Sequence, residues 1–495
     1  MQYDGVNLPL SCIRTSHGHG IGSFLDLIPF LNLMQKLHFN LVQLLPLNDT
    51  DHDPSPYNAI SNLAFHPIYI SLDQSHIQSD ELKIFEKLNS EKRVQFAEVL
   101  NLKISVLKRI YLSKSHKEKN ELYDFLNRFP DLKTYAIYKK MKEIQNRRTI
   151  SDWPKDYYDK DFQKDFFEEH ASECLFFIFL QKLCHEQLEE VSTHAKKLNI
   201  ELMCDLPILV SPDSVEVFEY PEFFKFRYVA GAPPDEFNKQ GQYWGFPIYD
   251  WDHVTKSDYL LWKNRFAIMD LFFSHFRIDH ILGFFRFFSI PKNSTPKYGE
   301  YIPFDEHKAT LQGYRHLKSI LMLTKMRPIG EDLGTKFKGV DEVLIELGIT
   351  QTKIIRWERK KNKFIPLEHY PRSSIVSLSN HDISLFLAWW KNHPELHADF
   401  LNLFSLKESP SQELFQFKVL EHFHKIPCDY RVNLIQEYLM IEHKYHSLDL
   451  DQDRINIPGE INATNWTYFL PVTLENLSKD ETWLHKILTL TNNNL

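Results

Sequence analysis

Cysteine is scarce: the 495 residues hold five, Cys12, Cys174, Cys184, Cys204 and Cys428. They are odd in number and widely spaced, with no C-x-x-C pair, which excludes a disulfide framework and a zinc ribbon. No apolar run reaches the ~18 residues that would span a bilayer. Residues 1–16 lack a basic stretch followed by a long apolar one, so no secretory signal is read there and a cytoplasmic protein is expected. Net charge is −8, with acids and bases mixed along the chain. A basic footprint for nucleic acid or an anionic membrane is absent, and neither partner is expected. There is no Walker A loop, no G-x-S-x-G, no H-E-x-x-H, no internal repeat and no low-complexity tract. The TNNNL end is expected to fray.

What is present is apolar and aromatic. Hydrophobic residues make up 43% of the chain and aromatics 14%, enough for a large core. Short apolar runs ending in polar or acidic residues recur at 41–46 (LVQLLP), 202–207 (LMCDLP), 276–280 (FRIDH), 328–333 (PIGEDL), 353–356 (KIIR) and 375–379 (IVSLS). They read as buried parallel strands with helical stretches between them. Residues 5–13 offer a first strand and 454–458 an eighth. This alternation predicts an α/β fold, either a (β/α)8 barrel or a doubly wound sheet. Both put acids at strand C-termini beside a ligand. A barrel needs about 250 residues, so insertions are expected. Residues 73–153, charged and rich in Leu, read as a helical insertion subdomain on the rim. Residues 211–251, rich in Pro, Gly and aromatics, read as ordered loops over the site.

Three carboxylates each follow a buried run: Asp279, Glu331 and Asp382. Such a group is costly to bury unless paired. Arg277 precedes Asp279 by two residues, so on a strand both side chains share a face. The guanidinium would hold Asp279 ionised, as a nucleophile requires. Glu331 has no cation as close, and a raised pKa would suit it to donate a proton. The structural alternative is an Arg–Asp ion pair with unrelated surface acids. Tyr57, Tyr243, Trp244, Tyr249 and Trp251 could stack on the apolar faces of sugar rings, or simply pack in the core and rim. HGHGIGS at 17–23 lacks the third glycine of a dinucleotide loop. His17 and His19 read as loop residues and not as metal ligands. NDTDHD at 48–53 lacks the glycine and distal Glu of an EF-hand and reads as a solvated loop. No metal and no cofactor is expected.

Longer segments carry a resemblance. GIGSFLDL (20–27), LVQLLPLNDT (41–50), SPYNAISNLAFHPIYI (55–70) and DLPILVSPDSVEVF (205–218) are four of them. VAGAPPDEFNKQGQYWGFPIYDWD (229–252), FRIDHILGFFRFFSIP (276–291), GEDLG (330–334), SNHD (379–382) and RINIPGEINATNWTY (454–468) are the others. Together they resemble the 4-α-glucanotransferases (amylomaltases) of glycoside hydrolase family 77, almost end to end. The resemblance implies a single catalytic (β/α)8 barrel acting on α-1,4-glucans and maltooligosaccharides. It implies Asp279 as nucleophile, Glu331 as general acid/base and Asp382 as transition-state stabiliser. Arg277 would support the nucleophile, and His280 and His381 would bind sugar hydroxyls. Tyr57, as stacking platform, with Asp205 and Asn456 would complete the pocket, and Trp244 would face the acceptor. Phe246, Ile383 and the segment after Pro291 depart from the family pattern, which bears on subsites and not on the carboxylates. A retaining α-glucan hydrolase would use the same three acids. A catalytically dead glucan-binding protein would have no need to keep them.

Overall fold

The structure, a computed structural model, describes residues 2–234, 239–361, 363–407, 409, 411–460 and 462–491. Residues 235–238 of the PPDEFN run and 492–495 of the chain end, where fraying was expected, lie outside the described residues.

The strands in chain order are β1 (Tyr3–Leu8), β2 (Leu41–Leu44), β3 (Glu201–Pro207), β4 (Phe224–Ala232), β5 (Gln242–Tyr249), β6 (His275–Asp279) and β7 (Phe287–Pro291). They continue with β8 (Glu300–Ile302), β9 (Arg327–Gly330), β10 (Thr350–Ile354), β11 (Arg359–Lys360), β12 (Lys363–Phe364), β13 (Ser374–Ser377) and β14 (Tyr430–Leu434). Eight of them close a barrel in the order β1-β14-β13-β10-β9-β6-β3-β2, every pair parallel. Apart from β9, exposed at Arg327, these strands are buried along nearly their whole length, because barrel residues meet either the interior or the surrounding helices. The fold is thus the (β/α)8 barrel, not the doubly wound sheet.

Inside the barrel Tyr3, Leu41, Met203, Ile329, Ile375, Tyr430 and Val432 form a separate buried cluster. Tyr3 and Tyr430 stack at 4.9 Å, and His275 meets Tyr3 edge-on at 5.2 Å. Side chains alternate along a strand, so Met203 on β3 and His275 on β6 share the inward face with Asp205 and Arg277, two residues further on. The apolar layer therefore supports a charged layer nearer the C-terminal mouth.

Three readings of the sequence are corrected. The eighth strand is Tyr430–Leu434, not 454–458. Arg431 and Asn433 make it look polar, yet both are buried, and Arg431 pairs with Asp4 of β1 at 2.5 Å. The 211–251 stretch is more than loops. It contains the helix Val215–Glu219 and the antiparallel pair β4–β5, which joins β7 and β8 in a four-stranded sheet, β5-β4-β7-β8. The NDTDHD segment is not a solvated loop. Asp49 is fully buried, 3.1 Å from Lys139, and accepts a 2.7 Å hydrogen bond from Tyr135.

Between β2 and β3 run helices at Ser79–Ser90, Phe96–Ser113, His116–Arg128 and Leu132–Ile144, within the stretch read as helical. Ala171–Lys197 then leads into β3. No described helix is long and apolar enough to cross a membrane.

Candidate active site

Arg277 organises the mouth of the barrel. It lies on β6, in register with Asp205 of β3. Its Nη1 donates to both oxygens of Asp205, at 2.7 and 2.6 Å, and to Asp279 Oδ1 at 3.0 Å. Asp205 also accepts from the Tyr57 hydroxyl at 2.8 Å. Tyr57 in turn stacks on His381, centroids 4.9 Å apart. His381 Nε2 is 3.2 Å from Asp382 Oδ2, and Asn456 Nδ2 donates to Asp382 Oδ1 at 2.6 Å. The Asn456 backbone N–H donates to the His381 carbonyl at 3.1 Å, so the 454–458 segment is tied to the SNHD loop at two levels. The strand read as FRIDH ends at Asp279, and His280 turns into the left-handed region at φ 50°. That turn aims its backbone N–H at Glu331 Oε2, 2.8 Å away. The His280 ring meets Trp244 of β5 edge-on at 4.9 Å. The three carboxylates and the residues read as binding substrate thus gather at one mouth, in two groups of contacts that adjoin at Asp279 and His280.

Glu331 sits just past the end of β9, anchored on both sides. Its N–H donates to the Ile278 carbonyl at 2.9 Å, and its carbonyl accepts from Ile281 N–H at 3.0 Å. The next residue, Asp332, is buried and accepts from Thr352 N–H at 2.8 Å, with Lys336 as its ion-pair partner. This ties the Glu331 loop to β10.

The electrostatics divide the acids. Burial raises both Asp279 and Glu331, and raises Glu331 further. Arg277 works against burial in each case, but it touches Asp279 directly and does not touch Glu331. Of the two, Glu331 is pushed harder toward its protonated form. Arg277 does less for Asp279 than its spacing suggested, since Asp205 takes the closer two contacts. The Asp279 carboxyl is thus not held below its ordinary value. Burial opposes ionisation of Asp382 as well, yet His381 and the Asn456 amide hold it down to about 2. The same carboxylate outweighs burial at His381 and raises it. Burial alone pulls His280 down to about 4, a neutral ring.

Some expected residues serve elsewhere. Tyr249 and Trp251 are buried: Tyr249 packs on Phe224 at 5.4 Å and Trp251 stacks on His316 at 4.4 Å. Tyr243 is exposed on β5. Two residues were missed. Trp466, at φ 63°, sets its ring 5.5 Å from Tyr57 and 5.7 Å from His381. Arg454 donates to the backbone carbonyl of Asp382. Both lie in the quoted 454–468 segment; reading 454–458 as a strand hid the cross-link that Arg454 makes to the SNHD loop.

A parallel (β/α)8 barrel whose mouth gathers Asp205, Asp279, Glu331 and Asp382, two of them hydrogen-bonded to one arginine, has the carboxylate arrangement of a glycoside-processing site. The comparisons give the family. A family model described as 4-alpha-glucanotransferase matches residues 8–473. The 4-alpha-glucanotransferase of Chlamydia pneumoniae is 37% identical over 505 residues, covering 98% of this chain and 95% of that one. Among solved structures, the amylomaltase from Streptococcus agalactiae in complex with acarbose superposes with a TM-score of 0.86 at 21% identity, covering 100% and 99% of the two chains. The amylomaltase from Corynebacterium glutamicum gives 0.82 at 20% identity, covering 99% of this chain and 75% of that one. The chain belongs to the 4-alpha-glucanotransferase family, glycoside hydrolase family 77.

Proposed function

We propose that this chain is a retaining 4-α-glucanotransferase, moving segments of α-1,4-glucan from a donor maltooligosaccharide to the 4-hydroxyl of an acceptor sugar. Glu331 protonates the leaving glycosidic oxygen while Asp279 attacks C1, giving a covalent β-glucosyl ester. Glu331, now the base, takes the proton of the acceptor hydroxyl as that oxygen displaces Asp279. Two inversions return the original anomer, and every proton removed is given back. Asp382, held ionised by His381 and Asn456, receives hydroxyl hydrogen bonds as the ring flattens.

The observation that carries this reading is the unequal reach of one cation. Arg277 contacts Asp279 at 3.0 Å, while Glu331 accepts only the His280 backbone N–H at 2.8 Å among its side-chain contacts described here. An ionised nucleophile beside a protonated acid is what the first step needs. Starch- and glycogen-derived maltodextrins are the substrate class. The five buried, unpaired cysteines suit a reducing cytoplasm. The β4–β5 hairpin, through Trp244 against His280, supplies a wall that favours a sugar over water at the second step.

Chromatography of products from maltotriose tests the reaction. Transfer yields glucose together with maltopentaose and longer chains. Glucose and maltose alone, in hydrolytic ratio, would contradict it.

A further inference from the structure

Glu413, His443 and His446 lie outside the carboxylate cluster. Glu413 is in the first turn of the helix Gln412–Phe423. His443 opens the 3-10 turn His443–Tyr445, and His446 follows it. Their rings meet edge to face at 5.3 Å. Glu413 Oε1 is 3.5 Å from His446 Nε2 and 3.6 Å from His443 Nδ1. The three ligand atoms all lie within 4.8 Å of one another.

The hydrogen-bond pattern fixes which nitrogen of His446 carries a hydrogen in the neutral ring. His446 Nδ1 is 3.1 Å from the Ser447 carbonyl. A carbonyl only accepts, so Nδ1 carries the hydrogen, and in the neutral ring Nε2 keeps its lone pair. The His446 side chain is 4% exposed, and its Nε2 has no hydrogen-bond partner among the described residues. That lone pair faces a carboxylate oxygen, itself an acceptor. Glu413's other oxygen accepts from Ser411 Oγ at 2.6 Å. Lys444, next in sequence to His443, is engaged by Asp480 at 2.6 Å. Two acceptors set face to face call for a cation between them.

We propose that Glu413, His443 and His446 bind a single divalent transition-metal ion, of which Zn2+ is the best match. Two imidazoles and one carboxylate are a nitrogen and oxygen donor set that suits zinc. Ligand atoms around a tetrahedral zinc stand about 3.4 Å apart, close to the 3.5 and 3.6 Å separations from Glu413. The Ser447 carbonyl behind His446 and the Ser411 hydroxyl behind Glu413 orient the ligands. His443, 68% exposed, leaves the fourth position open to water. The role is structural. Ser447 donates from N–H and Oγ to Asp453, at 2.7 and 2.8 Å. Arg454 and Asn456, just beyond, contact Asp382. The ion fastens the start of this segment to the helix Gln412–Phe423.

The test uses the full chain, stripped with a chelator and titrated with ZnCl2 by calorimetry at neutral pH, beside His443→Ala and Glu413→Gln. Melting temperatures with and without Zn2+ give a second readout. The expected result is one ion per chain, bound at least about tenfold more weakly by each variant, with a zinc-dependent rise in melting temperature only in the native chain. His443 is mostly solvent-exposed, so His443→Ala should melt with the native chain in chelator, which separates lost binding from lost folding. Equal zinc affinity in all three proteins would overturn the proposal, because the ion would then sit elsewhere among the 24 histidines. So would an absence of zinc binding to the native chain.

Discussion

At the scale of single residues, the site works by giving similar groups different surroundings. Asp279 and Glu331 are both carboxyls buried at the same mouth, yet one has an arginine at 3.0 Å and the other a backbone amide. Both are raised by burial, and the proposed first step needs Asp279 ionised and Glu331 protonated. Activity therefore falls as pH drops through the Asp279 titration and as pH rises through that of Glu331. The profile of kcat/KM should be bell-shaped, with both limbs above the ordinary carboxylate range. Glu331→Gln should lower turnover of maltotriose by about 10²–10⁴-fold and abolish the alkaline limb. A maltosyl fluoride donor, whose leaving group needs no proton, should recover the first step. An alkaline limb that persists in Glu331→Gln would assign the acid elsewhere.

At the scale of elements, strand ends and the loops after them deliver the chemistry. Asp332 shows how little slack the Glu331 loop has: its carboxylate holds the Thr352 N–H of β10 at 2.8 Å and pairs with Lys336. Asp332→Ala should cost about 1–3 kcal/mol for the buried amide left unsatisfied, measured by urea unfolding, and should lower kcat as Glu331 drifts. Most strands were legible because runs such as LMCDLP and IVSLS are apolar on both faces. β14 was not, because YRVNL hides its strand character behind Arg431, whose charge is matched by Asp4, at the far end of the chain. The β4–β5 hairpin was read as loops because the stretch is rich in Gly and Pro as well as aromatics. Its pairing with β7, more than fifty residues on in sequence, is a tertiary fact. The ring contacts of Trp466 were hidden for the same reason. The three carboxylates and Arg277 were legible because i, i+2 spacing at a strand end is local. That Asp205 would take two of the Arg277 contacts depends on the β3–β6 register, which a lone sequence does not display.

At the scale of the whole molecule, the barrel must close β1 on β14, and a buried ion pair spans that seam. Asp4 meets Arg431 at 2.5 Å and His424 at 2.9 Å. Burial would raise Asp4, but these two partners hold it below the ordinary value. Its contribution to stability is thus present at neutral pH and lost as pH falls through its folded titration. Asp4→Ala should cost about 3–5 kcal/mol at neutral pH, because a buried guanidinium loses a counter-charge in direct contact with it. The gap to the native chain should narrow in acid, as thermal unfolding across pH would reveal. Closure matters to function because the mouth draws on β3, β6, β9 and β13 and on the segment after β14 at once. The central claim is that Asp279 becomes covalently linked to the sugar there. The most direct measurement is mass spectrometry of peptides from Glu331→Gln incubated with maltosyl fluoride. A maltosyl ester on the peptide at Asp279 is the result expected. Label on another carboxylate, or turnover of the fluoride with Asp279→Asn at native rates, would contradict it.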